Sequence, residues 1–382
     1  MRLLIGIAIS LLALPAYGQA PQLAMPVECA MGTDCVVQNF VDHDPAEGGE
    51  AYTDFMCERL SYDGHKGTDI RAVNRAIMLR DIPVLAVADA KVIGTRDGME
   101  DDAPFPQGKE CGNGLMLDHG NGWQTQYCHL RSGSVTKTTG DQVKTGDQLG
   151  LMGMSGNTEF PHLHITVRHN GNVIDPYVGY ADYQCGQGEL KPLWTAEAAD
   201  SLAYRRSGLL GAGFSGVEPS METVENGKHR QESLPADAEL MVFWAQIFGA
   251  HKTDVLHVAL AGPDGQLLAE HNQFFDHSRA QQFNYIGKKR PAGGWPEGEY
   301  TGVVQLLAPV GNNTSDVDVI FEERRTLTVV EADGIDATPI ALETARPVIE
   351  AKPQPKGSPI AKWLGILAAI GIGFIILFKM FR

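Results

Sequence analysis

Cysteine is absent after Cys185, and no two cysteines stand in Cys-x-x-Cys spacing. The first absence leaves the second half of the chain without covalent staples. The second argues against a cysteine zinc cluster, whose ligands come in such close pairs. Basic residues are also short: 31 Lys and Arg face 47 Asp and Glu, for a net charge of −16. A chain so acidic lacks the positive surface that binds a phosphate backbone, which argues against a nucleic-acid partner. There is no internal repeat and no low-complexity tract apart from one proline-rich stretch near the C-terminus. No apolar run reaches the ~20 residues of a comfortable membrane span.

What is present is a chain of 382 residues, 43% hydrophobic and 20% charged, enough for real cores and for two domains with additions. Residues 1–18 read as a cleaved secretory signal, with Arg2, an apolar run from Leu3 to Leu14 and the small-x-small site Ala16-Tyr17-Gly18. About a dozen apolar residues is short for a span. At the other end, residues 361–379 are expected to form a transmembrane helix. Their apolar centre, Trp363 to Phe378, covers only ~24 Å, but Lys362 and Lys379 can snorkel, and Lys379 with Arg382 suits a cytoplasmic flank. Residues 333–360, punctuated by Pro339, Pro347, Pro353, Pro355 and Pro359, read as a semi-rigid linker. With an export signal, six cysteines read as three disulfides, which allow 15 pairings. One pairing follows from a hairpin. Strands at Gly114–Asp118 and Trp123–Cys128 around His119-Gly120-Asn121-Gly122 bring Cys111 close to Cys128.

Between the termini the expected class is mainly β. Residues 19–57 are a cysteine-bearing N-terminal segment. Residues 58–185 show short alternating runs with glycine turns, the pattern of an antiparallel sheet, and 97–109 read as an inserted surface loop. Residues 186–213 form a connector in which Thr195 to Arg206 read as a helix with Thr195 as its N-cap. Residues 214–332 carry regularly spaced strand candidates and suggest an immunoglobulin-like β-sandwich, with a protein partner as one candidate role.

The chemistry lies in 58–185. Gly64-His65-Lys66-Gly67-Thr68-Asp69 sets His65 and Asp69 four residues apart, and Gly67 could let the chain turn so that both converge. His162-Leu163-His164 opens a strand, so its two imidazoles face one way, roughly 6.5 Å apart. That spacing suits one metal ligand and one neighbouring catalytic imidazole. Two imidazoles and a carboxylate are the ligand set of a catalytic zinc with a position left open. Such a metal makes water a nucleophile at neutral pH. His129 and His162 are then left for proton transfer and oxyanion stabilisation. His119 reads as structural, His169 as a surface residue, Asn113 and Tyr127 as turn and packing residues, and Arg131 as solvated. His43 shows no partner pattern.

The His65–Asp69 motif, Tyr127-Cys128-His129-Leu130 and His162–His164 resemble those of the lysostaphin-type (LytM) zinc endopeptidases of bacterial cell walls. Gly114–His119, the double turn from Gly140 to Gly150 and Asp175-Pro176 are similar as well. The resemblance covers Gly64 to Tyr177. It implies one Zn2+ per chain held by His65, Asp69 and His164, with His129 and His162 catalytic. It implies an antiparallel β-sheet peptidase fold with a groove, and hydrolysis of peptide bonds in peptidoglycan cross-links, outside the cytoplasm and anchored to the membrane by the C-terminal helix. The other reading is a catalytically silent LytM-like module that binds the wall or activates another hydrolase. Such modules have typically lost ligands, and all five positions are kept here. The cysteines and the 97–109 insertion depart from the general pattern, so groove shape and specificity do not carry over.

Overall fold

The computed structural model describes residues 20–44, 51–180, 183–184, 186–310 and 313–331. The expected signal (1–18), linker (333–360) and membrane helix (361–379) lie outside these residues, as does Cys185. The chain divides into two compact units. The first comprises Met1–Ala72 and Met78–Tyr204, the second Val73–Ile77 and Arg205–Arg382.

The strands of the first unit are β1 (Cys35–Asn39), β2 (Thr68–Ala72), β3 (Pro83–Leu85), β4 (Ala90–Arg96), β5 (Asn113–Gly120), β6 (Trp123–Leu130), β7 (Gln142–Val143), β8 (Gln148–Leu151), β9 (His162–His169) and β10 (Asn172–Ile174). One sheet runs β1-β2-β9-β6-β5-β4-β7 with β10 on β9, and β3 pairs with β8 in a second, two-stranded sheet. Every pairing is antiparallel. Period-two alternation explains the main layer. In β9, Leu163, Ile165 and Val167 are buried in the core beside Trp123 and Tyr127 of β6, while His162, His164 and Thr166 take the opposite face. The β5–β6 turn is tighter than the four-residue one read from the sequence: β5 runs on through His119 and Gly120, and only Asn121 and Gly122 connect the strands. Asn121 (φ 51°) and Gly122 (φ 81°) both take the left-handed conformation that a two-residue hairpin needs. At the N-terminal side, β1 is buried along its whole length and covers the edge of β2. The N-terminal segment is thus part of the sheet.

The short helix α1 (Arg75–Met78) lies between β2 and β3 in the chain, and α2 (Ala196–Ser201) follows β10. Thr195 caps α2 as expected, its hydroxyl accepting from Ala198 N, but the helix ends five residues before Arg206. The second unit begins its first strand, β11 (Gly208–Ser215), inside the stretch read as a helical connector. After α3 (Met221–Glu225) come β12 (Ser233–Pro235), β13 (Leu240–Ala250), β14 (Val255–Ala261), β15 (Leu267–Phe274), β16 (Arg279–Lys289), β17 (Gly298–Val310) and β18 (Asn313–Val330). They form a three-stranded sheet, β11-β13-β16, and a five-stranded sheet, β12-β18-β17-β14-β15. Phe243 and Ile247 of the first sheet and Val258, Val304 and Leu327 of the second belong to one apolar core.

The chain is mainly β, and one part of the expected fold class is corrected. No helix among the described residues is long and apolar enough to cross a membrane. The longest of them, α2, has six residues, against the ~20 a span requires.

Candidate functional site

Strand register assembles the site in the first unit. Asp69 on β2 lies directly opposite His164 on β9, and Arg71 lies opposite His162. On its other side His164 is paired with Cys128 of β6. His65 stands just before β2. One nitrogen from each of His65 and His164 and one oxygen of Asp69 lie within 4.8 Å of one another. The Asp69 Oδ1 atom is 3.1 Å from His65 Nε2 and 2.8 Å from His164 Nδ1, and those two nitrogens are 3.2 Å apart. His65 and Asp69 are buried, and His164 is half-buried.

Each donor is aimed by a partner behind it. His65 Nδ1–H donates to the Phe40 carbonyl at 2.6 Å, which fixes the tautomer and leaves the Nε2 lone pair facing inward. Asn39 Nδ2–H donates to Asp69 Oδ2 at 3.0 Å, which leaves Oδ1 for the cluster. His164 Nε2 meets the Thr166 hydroxyl at 3.0 Å. This is the arrangement that orients metal ligands in proteins. Gly67 serves the cluster differently from expected. Its φ is not positive, so no turn requires glycine there. A Cβ at Gly67 would stand 2.6 Å from His164 Nε2 and 2.7 Å from the Ile165 carbonyl oxygen, so its bare Cα makes room for the His164 ring.

The two other histidines flank the cluster. His162 Nε2 is 3.6 Å from Asp69 Oδ1, and its Nδ1 is held by the Phe160 carbonyl at 2.9 Å, with the Thr158 hydroxyl at 3.0 Å. His129 Nδ1–H donates to the Ser155 carbonyl at 2.8 Å. The rings of His129 and His162 are 4.6 Å apart, and those of His129 and His164 are 6.1 Å apart. His129 reaches this face by breaking the alternation of β6. Its φ is 64°, the left-handed region. Between Asn113↔Leu130 and Leu115↔Tyr127, β6 carries one residue more than β5. That bulge falls at Cys128–His129, and bulges re-aim side chains in this way. Gly114, on the facing strand, has no space for a Cβ against the Tyr127 carbonyl.

Electrostatics follow from burial. Burial, then the neighbouring His162 and His164, push the His129 imidazole down to about 3. Burial also lowers His162, against the opposing pull of Asp69. Both rings are therefore neutral near pH 7. Burial alone would raise the Asp69 carboxyl, but the facing His65 and His162 and hydrogen bonds from His164 and His65 hold it well below the usual range. Burial disfavours a charged His65, yet Asp69 overrides it and raises that imidazole.

The structure thus brings His65, Asp69, His129, His162 and His164 together on one face. His119 bonds the Asp89 carbonyl (3.0 Å) and the Thr125 hydroxyl (2.8 Å), away from the cluster. Asn113 is fully buried and ties the 97–112 loop down through Met99 and Leu130, so it is a fastener for that loop. Arg131 is only half exposed and pairs with Asp81 and the Met78 carbonyl. His43 has a partner after all, Asp175 at 2.8 Å. Of the expected disulfides, Cys111–Cys128 is formed, Cys29–Cys35 is a second, and Cys57 is also disulfide-bonded. Sequence reading missed Asn39, Phe40, Ser155 and Phe160. Asn39 alone left a signal, a polar residue inside the apolar run from Cys35 to Phe40.

Residues 63–176 match the model of Peptidase family M23, the LytM type, so the resemblance read from the motifs holds over that region. Three curated relatives each match a stretch of similar length. The "Cell division protein DipM" of Caulobacter vibrioides is 34% identical over 119 residues, 30% of this chain and 17% of that protein. An "Uncharacterized metalloprotease" of Haemophilus influenzae is 38% identical over 112 residues, 29% of this chain and 20% of that protein. The "Peptidoglycan DD-endopeptidase ShyA" of Vibrio cholerae is 32% identical over 111 residues, 29% of this chain and 22% of that protein. The chain spans about a fifth of the length of these relatives. The matched region includes all five clustered residues and excludes Asn39 and Phe40.

Proposed function

We propose that the first unit is a zinc-dependent endopeptidase that hydrolyses peptide bonds of peptidoglycan outside the cytoplasm. The observation that carries the reading is the convergence of two imidazole nitrogens and one carboxylate oxygen within 4.8 Å, each with its remaining polar atom already engaged from behind. That donor set suits zinc. Calcium and magnesium favour all-oxygen sites, and a structural zinc usually takes four protein ligands. His65, Asp69 and His164 would hold the ion. Zinc bound there supplies Lewis acidity, polarising a carbonyl and making water a better nucleophile near neutral pH.

The chain's own residues supply the rest. His129 and His162 are neutral and keep Nδ1 occupied by carbonyl oxygens, so Nε2 of each is the atom open to protons. One ring takes the proton from the attacking water and passes it to the leaving amine. The other takes up a solvent proton at Nε2 as negative charge develops on the oxyanion of the tetrahedral intermediate, and donates to that oxyanion. The match to family M23 and the peptidoglycan endopeptidase among the relatives support the substrate class. Disulfides in the first unit support a location outside the reducing cytoplasm.

Mass analysis of muropeptides incubated with residues 20–331 tests this. Peptide products that vanish with a chelator and return with zinc are expected. Stoichiometric zinc with no turnover on any muropeptide would defeat the enzyme reading in favour of a silent wall-binding or hydrolase-activating module.

A further inference from the structure

We infer that the Cys111–Cys128 disulfide is a positioning device for His129. The inference rests on the catalytic role proposed for that histidine. Cys128 and His129 are consecutive, so in a regular strand they would face opposite sides of the sheet. Here Cys128 registers against His164, and His129, through its left-handed backbone, also reaches the rings of His162 and His164. Such a backbone is unfavourable for a residue with a Cβ and persists only where its surroundings enforce it.

The enforcing parts gather on the segment Glu110–Asn113 and on Ser155, which that segment holds. The Cys111 carbonyl accepts from His129 N at 2.9 Å. The Cys111 side chain is bonded to Cys128, the residue just before the histidine. Gly112 lies so close to Ser155 that a Cβ would overlap the Ser155 backbone and hydroxyl. Asn113 N donates to Ser155 Oγ at 2.9 Å, and Asn157 N donates to the Glu110 carbonyl at 2.8 Å. Ser155, fixed in this way, holds His129 Nδ1–H. One wedge therefore sets both the backbone and the ring of His129. Every other tie in it is a hydrogen bond or close packing, which water and loop motion can replace. The disulfide is the one tie they cannot. The three proposed zinc ligands stand on or beside β2 and β9, and only His164 adjoins the disulfide, through its strand pairing with Cys128. Loss of the disulfide should spare metal binding and strike His129.

The test uses the zinc-loaded full chain carrying Cys111→Ser and Cys128→Ser together. Bound zinc should stay stoichiometric and KM on a muropeptide should stay within about twofold, while kcat falls on the order of 10²-fold through misplacement of one catalytic group. The Nδ1–H proton of His129, identified in nitrogen-15 NMR by its loss in His129→Gln, should be protected from water in the wild type and exchange freely in the variant. Unchanged kcat with a protected proton overturns the inference. If the wild type cleaves nothing, the proposed function fails, and the proton alone decides: one that stays protected in the variant overturns positioning, and one that is released supports it. If the serine pair does not fold, the folded wild type is treated with dithiothreitol. That reagent is oxidised to its cyclic disulfide as Cys111 and Cys128 become thiols. Alkylation is mapped by mass, and the same readings decide.

Discussion

Asn39 shows how much of the site rests on residues without reactive chemistry. Its amide holds one oxygen of a fully buried Asp69 at 3.0 Å and so chooses which oxygen faces the cluster. Asn39→Ala should leave the sheet folded and weaken zinc by about 10–100-fold, the usual effect of losing a partner behind a metal ligand. Competition with a chromophoric chelator measures this, and wild-type affinity would remove Asn39 from the argument. Gly67→Ala acts by bulk. Its methyl would stand 2.6 Å from His164 Nε2 and 2.7 Å from a main-chain oxygen. The ring can move and the backbone cannot, so zinc should be lost along with about 1–3 kcal/mol of stability. Thermal melting and metal content read the two effects, and a variant that keeps both would mean the ring sits elsewhere. The five reactive residues were legible in the sequence because their side chains are the chemistry. Phe40 and Ser155 were not, because a carbonyl oxygen is common to every residue and only the fold aims it. His43 was illegible for another reason: its partner, Asp175, is 132 positions away, and although Asp175 stands in the family-like Asp175-Pro176 pair, His43 itself sits in no recognisable pattern.

At the scale of elements, β1 is the strand that motif reading undervalued. It lies outside the family-matched region 63–176, yet it pairs along β2 and carries Asn39, and Phe40 follows it. A fragment of residues 51–204 keeps every reactive histidine and Cys57 but lacks β1. It should bind zinc far more weakly than residues 20–204 and melt without a cooperative transition, because β2 is buried along its whole length and would lose its cover. Equal zinc affinity and equally sharp melting in the two fragments would show that β1 is dispensable. Legibility followed regularity here. Alternation gave β9, and the glycine-rich turn His119–Gly122 gave the β5–β6 hairpin. The bulge at Cys128–His129 was invisible because it is a departure from alternation. The helix expected to run to Arg206 stops at Ser201, and a strand begins at Gly208. The sequence stretch Thr195–Arg206 has few apolar residues with which to hold a longer helix.

At the scale of the molecule, chemistry and scaffold are divided. His65, Asp69, His129, His162 and His164 all lie in the first unit, and three of them, His65, Asp69 and His164, make the only group of metal-ligating side chains found among the described residues. The second unit has its own apolar core, drawn from both of its sheets. A unit with its own core can fold alone. Residues 20–204 should therefore cleave soluble muropeptides with kcat/KM within about threefold of residues 20–331, since every reactive residue is in the first unit and a small muropeptide brings little remote binding energy to spend at the site. Intact wall sacculi should separate the two proteins. If the second unit anchors to the wall, it raises the local concentration of the enzyme there, and the shorter protein will release products more slowly at equal concentration. The pair of assays has a definite failing outcome. If the shorter protein keeps stoichiometric zinc and still loses soluble muropeptide cleavage, the second unit completes the active site, and the division between chemistry and delivery is wrong. If both assays give equal rates, the second unit serves neither, and its exposed strands β15 and β16 become the place to look for a protein partner.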